Sequence, residues 1–453
     1  MFRQDSTLTD TLEIMEQVFS HKYGLCANET TTNFISNIFS TSDASFMIGG
    51  SIPMYSSHIV HANSAFPIAG FAFSINKDKS RVRAFGEFIE RFSAIYFKNE
   101  RPDNTLFDCY DSMNAKGLLC LNPMDVIDYE KHYYNDPLFP CACFESSKPN
   151  TWIRGEEITT GKEVWLPMQK VLLNYPWPPD EKFIIYGLST GLACGSSYRH
   201  AALSGLYEVI ERDSFMLTWL LRIPGTLVEI DTTENKELAY LYEHIFTHLM
   251  GEDRLYIYDI SRTKGVYTIM TYIRNNLLGA YGLIVSAASN TNPEKAIIKA
   301  LEELCQCQYH GYHQLITDMK KECQNMELED IDSLNKHFFY YSTGKHSGNI
   351  DFLSFPMRHI RLSDMVDYST SSIEGDFDYI VDLFRQTSKP VYITDITKPE
   401  IKEIGLTVVK AVVPGYLDLN GLRHRFRQQK GDRLLEFKKG HDIEINADPH
   451  PFS

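Results

Sequence analysis

The chain has no HExxH zinc-hydrolase pattern and no Cys-x-x-Cys pair, and only 4 of its 453 residues are tryptophan. A helix-borne hydrolytic zinc site and a dithiol redox couple therefore have no starting point in the sequence. Long apolar runs are also missing. The longest lies near Phe66–Phe73, far short of the ~18 residues that a membrane helix requires. The N-terminal residues Met1–Ser6 lack the apolar core of a signal peptide, so a cytoplasmic location is expected. Basic residues are scarce, with 44 Lys and Arg against 59 Asp and Glu, which leaves a net charge of −15. A surface of that sign repels phosphate backbones and anionic lipid, so neither nucleic acid nor membrane is an expected partner. The nine cysteines include Cys141-x-Cys143 and Cys305-x-Cys307. An odd number in a chain without an export signal reads as free thiols.

Composition is otherwise that of a globular protein, 43% hydrophobic and 23% charged. Residues 1–30 read as a helical entry segment. Ser80 is a candidate cap for a helix running to about Phe97, with Val82, Phe85, Ile89, Phe92 and Tyr96 on one face. Trp152–Pro167 reads as a hairpin turning at Thr160-Gly161. Phe183–Tyr186 reads as a short strand that enters a small-residue loop, Gly187–Gly195. A long helix is expected over about Tyr198–Leu221 and another over about 293–315. Strands are expected near 226–230, 255–260, 266–274 and 280–286, with a final β-α-β pattern ending at Thr407–Val413. The class is mixed α and β.

One pattern recurs on the helices. The first carries Glu87-x-x-Glu90-Arg91, the second Glu208-x-x-Glu211-Arg212 and the third Glu303-x-x-Gln306. Groups three apart share one side of a helix. The second helix is apolar almost all round, through Leu203, Leu206, Val209, Ile210, Met216, Leu217 and Leu220, which is the pattern of a buried helix. A carboxylate pair there is costly unless it is compensated, and a divalent cation such as Mg²⁺ relieves that cost. Glu-x-x-Glu also describes an ordinary solvated helix face, and spacing alone does not choose between the two. Asp213, on the apolar side, is expected to mark a local bend or make a buried hydrogen bond rather than to act in catalysis. Ser189–Gly195 offers backbone N–H groups ahead of a helix, where anions bind, or is simply a tight turn. Cys194 and His200 read as structural. A polar tail such as Asn446–Ser453 is ordinarily frayed.

Taken in order, these segments resemble the YcaO family. The resemblance is carried by Ala84–Phe92, Ser189–Gly195, Glu208–Asp213, Ala300–Gln306, Val391–Thr397 and Val412–Gly415, together with the Trp152–Pro167 hairpin. It implies an α+β, YcaO-type ATP-binding fold with mixed sheets and acidic helices lining the nucleotide site. Its expected parts are an entry segment at 1–60, a catalytic core at 61–420 and a C-terminal segment at 421–453. The implied cofactors are ATP and Mg²⁺. The implied metal ligands are Glu87, Glu90, Glu208, Glu211 and Glu303, with Lys77, Ser189, Arg212 and Gln306 completing the nucleotide site. Two positions depart from the family pattern: Arg83 stands where a serine is usual, and Asn76-Lys77-Asp78 stands where Gly-Lys-Gly is usual.

The ending Pro449-His450-Pro451-Phe452-Ser453 resembles the Pro-rich tail of azoline-forming members, with Ser453 in place of the last proline. That implies an ATP-dependent cyclodehydratase that folds Cys, Ser or Thr side chains of a ribosomal precursor peptide onto the backbone. Pro449, His450, Pro451 and Ser453 would lie beside the reacting amide, His450 or the terminal carboxylate accepting a proton. The implied partners are the precursor, a leader-binding protein of E1-like or ThiF-like type, a flavin dehydrogenase where azolines are oxidised, and a second copy in a homodimer. Peptide thioamidation and a non-catalytic nucleotide-binding scaffold are the alternative functions.

Overall fold

The protein is described from a computed structural model, which covers residues 12–15, 26–38, 50–61, 68–96, 101–127, 129–246, 254–274, 283–316, 326–342, 345–355, 358–419, 421–426, 431–439 and 444–452. Three sheets and three long helices organise it. The first sheet is an antiparallel meander of β1 (Cys26–Ile38), β2 (Gly50–His61) and β3 (Ala69–Ser74). Residues 12–15 are helical, but the helical reading of 1–30 gives way to strand from Cys26. The β-branched run Thr30–Thr32 followed by Phe34-Ile35 favours a pleated backbone over a helix.

The second sheet holds β4 (Thr105–Cys109), β5 (Pro149–Glu157), β6 (Lys162–Pro167), β7 (Leu192–Gly195), β13 (Tyr392–Asp395) and β14 (Thr407–Val412), in the order β4-β5-β13-β14-β7 with β6 paired to β5. The expected hairpin is present, with Glu157 opposite Lys162 and Trp152 opposite Pro167. Part of the expected small-residue loop is strand β7, which pairs antiparallel with β14. Phe183–Tyr186 forms no strand. The N–H groups of Ile184 and Ile185 donate to Gln169 Oε1 at 2.8 and 3.1 Å, so one side chain takes the place of a partner strand.

The third sheet runs β11-β10-β9-β8-β12, where β8 is Thr226–Glu229, β9 Arg254–Asp259, β10 Tyr267–Arg274, β11 Ile284–Asn290 and β12 Arg358–Arg361. Only β8 and β12 pair in parallel among its described strands.

Helix α1 (Lys77–Ser93) starts three residues before the expected cap. Asn76 accepts from the N–H groups of Asp78 and Lys79, whereas Ser80 is buried and donates to Lys77 O. The helix buries Ala84, Phe85, Phe88, Ile89 and Phe92 between the first and second sheets. Helix α2 (Tyr198–Leu220) is the centre of the molecule, with 17 of its 23 residues buried. Its first half packs with β13, β14 and α5 (Ile373–Gln386), and its second half with β8–β11. A helix clasped on both halves cannot tilt without disturbing two cores. Helix α3 (Pro293–Ile316) lies against β10 and β11 and shares the second of those cores. Helix α4 (Leu334–Ser342) and helix α6 (Asp432–Lys438) pack beside the C-terminal half of α2. Among the described residues, no helix is long and apolar enough to cross a membrane.

Candidate functional site

The three acidic helices converge. The outward side of α1 brings Glu87, Glu90 and Arg91 towards β3 and β7. The middle of α2 brings Glu208, Glu211 and Arg212, and α3 brings Lys299 and Glu303, with Gln306 one turn further along the same helix. A common scheme holds four of the carboxylates, each accepting one backbone N–H. Phe71 N–H donates to Glu87 Oε2 at 2.8 Å, Cys194 N–H to Glu90 Oε1 at 2.9 Å, Gly191 N–H to Glu208 Oε2 at 3.0 Å and Ser289 N–H to Glu211 Oε2 at 3.1 Å. The donors come from β3, β7, the turn before β7 and β11. One oxygen of each carboxylate is thereby fixed and the other directed, the arrangement that orients ligands from behind.

Cations approach several of these carboxylates at loose distances. Arg91 stands 3.4 Å from Glu87 Oε1, and Arg212 stands 3.6 Å from Glu208 Oε1 and 3.4 Å from Glu211 Oε1. Lys299 Nζ lies 3.6 Å from Glu303 Oε1 and 4.0 Å from Glu211 Oε2. Burial, reinforced by Glu87 and Glu208 and opposed by Arg91 and the Cys194 N–H, pushes the Glu90 carboxyl up to about 8. Burial likewise lifts Glu211 to about 7, against Arg212 and Lys299 and with Glu303 and Glu208. Glu208 acts on both groups, so the five carboxylates form one electrostatic cluster. Burial works to lower Arg212, but Glu211, Glu208 and Glu303 outweigh it and hold the guanidinium charged.

The turn Ser189–Gly191 is docked onto α2. Gly191 has φ +81°, and a Cβ there would lie 2.2 Å from Ala411 O, while a Cβ on Gly205 would lie 2.6 Å from Gly191 O. Residues 187–191 have the spelling Gly-x-Ser-x-Gly, but a strand follows them rather than the helix of a nucleophile elbow. The Ser189 carbonyl closes the turn by accepting Leu192 N–H at 2.8 Å. Lys77 is exposed in the first turn of α1. It lies ten residues before Glu87, about 15 Å along the axis, and the structure does not bring it to the cluster. Asp213 is fully buried and bound by Arg433 at 2.8 Å and Leu417 N–H at 3.1 Å, a structural tie between α2 and α6. Cys194 has its thiol raised by burial and by Glu90, so it stays protonated and inert.

The tail is ordered and buried. Asn446 N–H donates to Leu220 O at 2.7 Å, and Trp219 Nε1 donates to Asp448 O at 3.0 Å. Tyr341 donates to Pro449 O at 2.5 Å. The His450 ring stacks on His337 at 4.1 Å and lies 6.1 Å from Phe215, which makes it a packing group; its expected part as a proton acceptor gains no support from this placement. Phe452 is the residue that reaches the cluster. Its ring sits 4.9 Å from Phe215 and 4.2 Å beneath the Arg212 guanidinium. Ser453 lies outside the described residues.

Several contributors have no signal in spacing. Glu302 is 1% exposed and accepts from Ser74 Oγ at 2.7 Å and from Arg83. That ion pair accounts for Arg83 at its unusual position, as a link between α1 and α3. Lys410 on β14 is buried and donates to Leu188 O; burial and then Lys170 bring its ammonium down to about 7. Lys299 was legible only as an i,i+4 neighbour of Glu303.

Among the described residues, no three acidic, histidine or cysteine groups form a closed metal cage. The donor set instead fits a cation that takes few protein oxygens and completes its shell with phosphate and water, as Mg²⁺ does. A mixed α and β fold that brings acidic helices together in this way is suited to a cation and the anions that travel with it. The family profile described as "YcaO cyclodehydratase, ATP-ad Mg2+-binding" matches residues 73–417, and the chain belongs to that family.

Solved structures agree on the fold. A heterocyclase in complex with substrate and cofactor superposes with a TM-score of 0.74 at 19% identity, over 99% of this chain. The chain spans 57% of that heterocyclase's length. The YcaO protein of Methanopyrus kandleri, bound with AMPPCP and Mg²⁺, superposes at 0.61 with 16% identity over 92% of this chain and 91% of its own. The microcin synthetase McbBCD complex of E. coli with pro-MccB17 bound contains a chain that superposes at 0.57 with 16% identity, over 92% of this chain and all of its own.

Proposed function

We propose that the protein is an ATP-dependent cyclodehydratase that forms azoline rings in a ribosomally made precursor peptide. The observation that carries the reading is the docked tail, which seats Phe452 on Arg212 between Glu208 and Glu211. A nucleotide site alone would not need that cover.

In the proposed reaction a Cys, Ser or Thr side chain of the precursor attacks the preceding backbone carbonyl. That addition closes the five-membered ring and gives up the side chain's proton. The former carbonyl oxygen, now on the ring carbon, attacks the γ-phosphoryl group of ATP and releases ADP. Loss of phosphate with the amide N–H proton leaves the C=N bond of the azoline. The protein's part is positioning and charge. Glu87, Glu90, Glu208, Glu211 and Glu303 would hold Mg²⁺, which neutralises phosphoryl charge. Arg212, kept charged by its carboxylate neighbours and clamped by Phe452, presents its guanidinium to phosphate oxygens. The backbone N–H groups behind the carboxylates keep them aligned through turnover. No enzyme nucleophile is required.

The neighbour solved with pro-MccB17 is a multi-protein complex, which supports a precursor substrate and a leader-binding partner here too. Intact-mass measurement on the precursor, with ATP, Mg²⁺ and the partner, tests the reading. The expected result is loss of one water per ring, coupled to phosphate release. Exchange of oxygen for sulfur would instead assign peptide thioamidation. ATP turnover indifferent to precursor would remove the peptide from the reaction.

A further inference from the structure

The two cations nearest Glu208, Glu211 and Glu303 are held very differently. Arg212 has a side chain only 15% exposed, with Phe452 stacked 4.2 Å from its guanidinium. Lys299 is 48% exposed and approaches Glu303 at 3.6 Å and Glu211 at 4.0 Å. Those separations are ion pairs without a hydrogen bond. Lysine is a compact charge on a flexible stem, so charge alone keeps it there. It stands between two carboxylates contributed by different helices, where a divalent cation bridging α2 and α3 would be placed. An ammonium and a metal ion cannot share that position.

We propose that Lys299 is an internal counter-cation, occupying the position between Glu211 and Glu303 and yielding it when a divalent cation enters. The inference rests on the proposed metal role of those glutamates and adds what sets their affinity. While Lys299 is in place, the buried Glu211 and the half-buried Glu303 are balanced and can face each other from two helices. Entry of a metal expels the ammonium, which then needs an anion. Phosphate oxygens arriving with the metal supply one. Metal binding without nucleotide is therefore weak and becomes strong with it, so the site discriminates against a bare metal ion.

Mn²⁺ titration of the full-length protein, followed by electron paramagnetic resonance without nucleotide, tests this. Lys299→Met is expected to bind Mn²⁺ about tenfold more tightly than wild type, since one repelling charge is gone. Lys299→Arg should stay near wild type. Lys299→Gln, with circular dichroism as a folding control, repeats the test should the methionine variant misfold. Equal or weaker Mn²⁺ binding in the folded neutral variants overturns the proposal, even where the wild type binds Mn²⁺ with a nucleotide analogue. Absence of Mn²⁺ binding in all proteins, with or without the analogue, overturns both this inference and the metal role of the glutamates.

Discussion

Replacing Glu211 by glutamine removes one charge and keeps an oxygen for the Ser289 N–H. Burial already pushes this carboxyl up to about 7, so a neutral isostere is accommodated and stability should change by no more than about 1 kcal/mol. Mg²⁺-dependent ATP turnover should disappear. A variant that hydrolyses ATP normally would remove Glu211 from the ligand set. Lys410 makes a second residue-scale test. Its folded value of about 7 lies below the ordinary 10.5, so between those pH values the folded chain binds fewer protons than the unfolded chain. Stability then rises with pH across that window, by at most about 1.4 kcal/mol per unit, and the gain is lost as pH falls through 7. Urea unfolding from pH 7 to 10 should show this slope in wild type and a flatter profile in Lys410→Met. Equal slopes would mean that Lys410 is not the titrating group.

Among the elements, the tail carries the most testable claim. Its buried contacts from Asn446 to Phe452 make it part of the core. Deleting Pro449–Ser453 should therefore cost stability as well as ring formation. Phe452→Ala alone should cost roughly 3 kcal/mol, in the range for a buried aromatic, and free Arg212 from its clamp. Thermal unfolding together with ring-formation rate separates the two effects, and an unchanged midpoint for Phe452→Ala would mean that the ring is not packed in solution. The helices bearing the glutamates were readable in the sequence, because apolar periodicity and three-residue spacing are local properties. Strand β1, strand β7 and the ladderless Phe183–Tyr186 segment were not, because pairing depends on distant partners: β14 for β7, and the Gln169 side chain for Ile184 and Ile185. The amides behind the carboxylates were invisible for the same reason. Glu90 and Cys194 are 104 residues apart, and Glu211 and Ser289 are 78 apart. Lys77 lies apart from the carboxylates because a family pattern gives order along the chain but not distance in space.

For the molecule as a whole, the expectation is dependence on a second protein. In the proposed function the acidic residues and the tail serve phosphate and metal, and leader recognition falls to a partner. The isolated chain should process a leader-bearing precursor slowly, and adding the partner should raise the rate at least about tenfold, a tenfold gain being worth 1.4 kcal/mol of transition-state stabilisation. Single-turnover assays with and without the partner decide this, and a full rate from the chain alone would place leader recognition within it.

Gly191 bears on how the protein tolerates genetic change. Every single-base replacement of a glycine codon that yields another amino acid adds a Cβ, and here that atom would meet Ala411 O at 2.2 Å in a backbone with φ +81°. The strain would fall on the turn whose N–H steadies Glu208. A position with no functional group should thus score, in a saturation library selected for activity, as severely as Glu211, and a ranking of residues by such losses would mistake a close-packed turn of the scaffold for a participant in the chemistry.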